Sequence, residues 1–113
     1  MKLLSIDCVP GQQIEALGMV KGAVVQTKHF GKDFMAGLKT LVGGEIVAYT
    51  EMLNEARQIA VKRMVDEAKT LGADAVVGIR YGSAQVMQGA AEVLAYGTAV
   101  KIIGPSKEGT VRL

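Results

Sequence analysis

One unbroken stretch, Tyr49 to Tyr81, limits what this chain can become more than any other. Tyr49, Leu53, Ala56, Ala60, Met64, Ala68 and Leu71 follow one another at spacings of 4, 3, 4, 4, 4 and 3 residues. That rhythm puts them on a single stripe of an α-helix. Glu51, Glu55, Gln58, Lys62, Asp66 and Lys69 fall on the opposite side, so the helix buries one face and wets the other. Three stripe positions are alanine, which lets the helix approach a sheet closely. Met52 and Ile59 widen the stripe.

The ends of the helix follow from capping chemistry. Thr50 suits the N-cap, where its hydroxyl can accept a free backbone N–H. Glu51 then stands in the first turn, where the helix dipole favours an anion. Lys62–Asp66 and Arg63–Glu67 are i,i+4 pairs worth roughly 0.2–0.5 kcal/mol each. Gly72 is placed for the left-handed residue that ends a helix. The chain then turns β-branched, Ala75 to Tyr81, and reads as a strand.

With 113 residues the chain holds one domain and one core. Five aromatics and no tryptophan leave that core to Val, Ile, Leu, Met and Ala. The net charge of +2 is well mixed, which gives no electrostatic footprint for nucleic acid. The single cysteine excludes an internal disulfide and fits a reducing compartment. The N-terminal apolar run is too short for a signal peptide, and no stretch nears the ~20 apolar residues of a membrane span. The expectation is a cytoplasmic protein with no membrane partner.

In chain order, Leu3 to Cys8 reads as a first strand, closed by the turn residues Val9-Pro10-Gly11. Ile14 to Thr27 is extended, with Gly18 and Gly22 marking a bulge or a close neighbour. Asp33 to Val42 reads as a short helix stopped by Gly43-Gly44. Tyr81-Gly82-Ser83 suggests a bend, and Ala84 to Gly89 is extended or looped. Glu92 to Ile103 is a last strand with apolar residues on both faces, as expected when both are covered. Gly104-Pro105 ends it, and residues 104–113 form a polar tail.

The order of LGMVKGAVV, a short helix ending VGG, the long EARQIAVKRMVDEAKTLGADAVVGIRY unit and a final AYGTAVKI resembles the YbjQ family over roughly residues 3–103. The most specific pieces are Gly43-Gly44, Leu71 to Gly78 and Gly97 to Val100. The resemblance implies one domain, residues 1–103, of the α+β class. It implies a two-layer, dodecin-like β-α-β-β subunit: an antiparallel sheet with one long helix packed on it and a short helix besides. It also implies assembly into a homopentameric ring, in which short strands join subunits. The family's label names heavy-metal binding, while its activity is unassigned.

Candidate sites are sparse. Cys8 and His29, 21 positions apart, are the sole Cys and His. A closed zinc site needs four ligands, so these two would serve a metal only if it were shared between subunits; otherwise Cys8 is a small apolar residue and His29 a loop residue. The residues themselves require no cofactor, and a metal ion enters by the family's name alone. Ser5, Ser83 and Ser106 lie in no nucleophile pattern, and a Cys8–His29 dyad would lack an orienting third group. Asp66 and Glu67 are adjacent on a helix and do not face each other. Asp74 reads as a turn residue bonded to nearby backbone. Arg80, beside Tyr81, is the polar residue to watch: together they form a ligand-binding pair at a subunit interface, or Arg80 makes an interfacial ion pair. Two function classes follow. The favoured one is a non-enzymatic ring holding a small ligand or metal ion between subunits. The other is an enzyme whose site is completed across the interface.

Overall fold

In the computed structural model, residues 1–27 and 42–106 are described, with side chains at 1–27 and 50–106. Among these residues four strands form one sheet: β1 (Lys2–Leu3), β2 (Gln12–Thr27), β3 (Ala75–Met87) and β4 (Ala90–Pro105), in the order β1-β3-β4-β2. One helix, α1 (Val42–Thr70), packs on it. β4 runs antiparallel to both β2 and β3, but β1 pairs parallel to β3. The sheet is therefore mixed rather than wholly antiparallel. The regular parallel pair is two residues long.

The helix phase is as expected. Ala56, Ala60, Met64 and Ala68 are fully buried against Val20, Val24, Val76, Val93, Ala95 and Ala99. Burying each larger side chain contributes about 1.5–3 kcal/mol relative to leaving it exposed. The stripe shifts at its C-terminal end, where Leu71 is exposed because it lies past the helix; Met52 takes a fuller place in the core than its flanking position suggested. Gly72, at φ 76, closes the helix. Its N–H donates to the Lys69 carbonyl and the Ala73 N–H to the Ala68 carbonyl, at 3.0 and 3.1 Å, the paired bonds of a Schellman motif.

The other end of the helix differs from expectation. α1 begins at Val42 and runs through Gly43-Gly44, so these glycines are no helix stop and Thr50 is no N-cap. Two glycines in a first turn cost only about 1 kcal/mol each, which the long apolar stripe beyond them outweighs. The short helix expected over Asp33 to Val42 lies outside the described residues except for Val42. The first strand is shorter than Leu3 to Cys8, yet residues 4–6 still track β3: the Leu4 N–H donates to Val76, and the Leu4 and Ile6 carbonyls accept from Ile79 and Gly78. The expected bend at Tyr81-Gly82-Ser83 is absent. β3 continues straight to Met87, because pairing with β4 holds it extended.

Gly22 shows why the layers sit so close. A Cβ there would fall onto the Ala60 carbonyl oxygen and 2.5 Å from the Met64 nitrogen. The helix backbone rests directly on β2, and the Arg63 guanidinium donates to the Ala23 carbonyl at 2.6 Å beside this contact.

Candidate functional site

The two faces of the sheet are covered unequally. The helix covers one. On the other, Val9 packs on Ala75, Val77 and Val100, with Leu4, Ile14 and Ile102 around them. This N-terminal cover stops short of the far half of the sheet. Beyond it the outer face carries three successive cross-strand rows: Lys21–Tyr96–Arg80, Ala23–Leu94–Gly82 and Val25–Glu92–Ala84. Residues directly opposite in an antiparallel ladder share a face. Met19 and Val25 are 72% and 56% exposed here, and Tyr96 is 38% exposed.

A bulge sets the composition of the first row. Gly78 and Ile79 together oppose Gly97, with Gly78 at φ 62. The extra residue reverses the alternation of β3. Ile79 turns to the helix side, and Arg80 joins Val77 on the outer face. The Arg80 Nη1 then donates to the carbonyls of Ser5 and Ile79, at 2.8 and 2.9 Å. Lys21, across Tyr96, is exposed and has no hydrogen-bond or ion-pair partner among the described residues.

Arg80 and Tyr81 do not share a surface. Tyr81 pairs with Ala95 and lies on the helix side of β3, where the helix does not reach it, 56% exposed. The aromatic neighbour of Arg80 is Tyr96, across the strand. Alternation along β2 and β4 is compatible with Lys21 and Tyr96 facing outward, but nothing in the sequence singled out either residue. The register that makes them neighbours is set between strands about 70 residues apart, and no local signal carries it.

Cys8 is half-buried in the irregular N-terminal segment rather than in a strand, and His29 lies outside the described residues. Among the described residues no three His, Cys, Asp or Glu side chains stand together as a metal site would require. Asp66 pairs with Lys62 at 3.0 Å on the wet side of the helix. The Asp74 Oδ2 accepts the Ile102 N–H at 2.8 Å, tying the end of the helical unit to β4, with Lys101 at 3.9 Å. Ser5 and Ser83 are exposed. No helix among the described residues is long and apolar enough to cross a membrane.

The YbjQ family model, described as "Putative heavy-metal-binding", matches residues 1–103. A UPF0145 protein of Clostridium novyi is 61% identical over 103 residues, covering 91% of this chain and all of the relative. A UPF0145 protein of Thermus thermophilus is 57% identical over 105 residues, covering 92% and 91%. Among solved structures, a Pediococcus pentosaceus protein of unknown function from the DUF74 family superposes with a TM-score of 0.58 at 18% identity. It covers 90% of this chain and 97% of its own, and at that identity it speaks to the fold alone. The match from end to end of the domain, at this identity to several relatives, places the chain in the YbjQ (UPF0145) family.

Proposed function

We propose that the chain works as a dodecin-like subunit of a homo-oligomeric ring and holds a small ligand between subunits without catalysing a reaction. The observation that carries this reading is the bare half of the outer sheet face, from Met19 to Val25 on β2 and from Glu92 to Tyr96 on β4. The described residues leave that surface half apolar and open. The sheet edges add support. β2 along its whole length, and β3 beyond Ile79, present backbone groups with no partner strand among the described residues. Soluble proteins cover or blunt such edges. The radius of gyration is 18.4 Å, against about 13 Å for a compact chain of similar length, so the described residues are elongated. A neighbouring copy would pair the edges, and cyclic closure would stop that pairing from running on. Five subunits is the number implied by the family resemblance.

The family name raises a metal ion. The described residues of one subunit do not fit a closed metal site; Cys8 and His29 would have to be contributed by different subunits. Light scattering on dilute protein, with native mass spectrometry and elemental analysis of the same sample, tests the reading. The expected result is a mass near five subunits and no stoichiometric zinc or copper held by one chain. A mass near the 11.9 kDa of a single chain overturns the ring. A stable dimer or hexamer overturns the count alone. One metal per chain that survives dialysis and is lost in Cys8→Ser overturns the metal expectation.

A further inference from the structure

We infer that the Lys21–Tyr96–Arg80 row is a platform for a mononucleotide-like ligand, a planar aromatic ring carrying a phosphate. This names a ligand class for the binding reading above and rests on it. The row sets one aromatic ring between two cations on adjoining strands. Neither cation has a carboxylate partner among the described residues, where the ion pairs are Lys62–Asp66 and Lys101–Asp74, both elsewhere. The adjoining outer-face positions, Met19, Thr98 and Val77 on one side and Ala23, Leu94 and Gly82 on the other, carry no charge. The near carboxylate is Asp7, with its Oδ1 3.6 Å from where a Gly78 Cβ would stand, and no ion pair joins it to either cation. Two cations against this one carboxylate favour an anion, and charge-assisted bonds to phosphate are among the stronger contacts available. Arg80 is already held in place by the Ser5 and Ile79 carbonyls through one terminal nitrogen. The rest of its guanidinium is left for a ligand.

The surface beside the ring has the right relief. Ala23 and Gly82 flank Leu94 in the next row, and a Cβ at Gly82 would meet nothing within 4 Å. A flat ring can lie over Leu94 between these two small residues and beside Tyr96, while its phosphate reaches over the Tyr96 ring to Lys21 and Arg80. A nucleic-acid strand fits less well. Strand binding uses successive aromatics along a basic track, whereas here the cations occupy one row and Glu92 lies two rows further along β4.

Calorimetric titration of the full chain with AMP, and separately with adenosine and with inorganic phosphate, tests the proposal. The expected result is saturable AMP binding, with adenosine and phosphate each weaker by about tenfold or more. Lys21→Gln and Arg80→Gln should each weaken AMP by a similar factor, and Lys62→Gln should leave it unchanged. Lys21 is exposed and unbonded, so its variant tests the site even if an Arg80 or Tyr96 variant fails to fold. Absence of AMP binding at millimolar concentration overturns the proposal. So does unchanged affinity in Lys21→Gln, phosphate binding as tightly as AMP, or affinity for a thymidine oligonucleotide that rises with its length. Light scattering on the same samples keeps the two readings separate. A ring that ignores AMP refutes the platform alone, and a monomer that binds AMP refutes the ring alone.

Discussion

The helix side and the outer side of β4 are built from alternate residues of one strand, yet they follow opposite rules. Ala91, Val93, Ala95, Gly97 and Ala99 face the helix and are all buried. Glu92, Leu94, Tyr96 and Thr98 face outward and are exposed or half-buried. The inner set is small because a helix backbone has to come within contact of the sheet. The outer set is larger and more varied, and its cover ends at Val100, where the N-terminal segment stops. The contrast teaches that small side chains mark the surface a chain covers for itself. Large, half-apolar ones mark the surface that the described residues leave open.

The comparison is broken most directly at Gly22. Gly22→Ala should destabilise by about 3 kcal/mol or more, at the top of the range for overpacking, because the new methyl meets helix backbone that has no rotamer to yield. A denaturant melt with an unchanged midpoint would mean that the layers are not in contact there. Ala60→Leu, mid-stripe and fully buried, should cost about 1–3 kcal/mol in the same assay. Removing the Asp74 carboxylate with Asp74→Ala leaves the Ile102 N–H without its acceptor, at a cost of about 0.5–1.5 kcal/mol in the melt. On the wet side of the helix, Lys62→Ala breaks an exposed pair and should change stability by less than about 0.5 kcal/mol. Met19→Ser sharpens the comparison on the outer face. An effect within about 0.5 kcal/mol fits a surface in water, whereas a clear loss that grows with protein concentration shows that a neighbour covers it.

Much of this was legible from local pattern. The stripe from Ala56 to Ala68, the Gly72 stop and the strand after it obey spacing rules that need no partner. The glycines divided. Gly18 and Gly22 announced an irregular, closely approached strand, and both features are present. Gly43-Gly44 announced a stop that is not there, because glycine in a first helical turn costs too little to end a helix whose remaining turns are well buried. The parallel pairing of β1 was hidden in a segment of few residues. The candidate site was the least legible part. Arg80 was visible, but its face depends on the Gly78 bulge, and its neighbours depend on a register set by distant strands. Sequence neighbours, Arg80 and Tyr81, are separated by the sheet, and residues far apart in the chain are joined by it.

The pairing of β2 with β4 has a consequence for how the chain comes to be folded. Ala23 lies opposite Leu94, 94 − 23 = 71 residues later. Since β2 is made first, it leaves the ribosome about 4–14 s before its partner at ~5–20 residues per second. During that interval an apolar extended segment has no strand to bond. Such a segment is an aggregation hazard unless charges or chain breakers interrupt it. Gly18, Lys21 and Gly22 divide this one at close intervals. Meanwhile β3 and β4 can join locally across a two-residue turn, so the hairpin and helix can be waiting as a template when β2 docks. The same glycine that admits the helix in the finished molecule thus also interrupts the apolar run of the nascent strand.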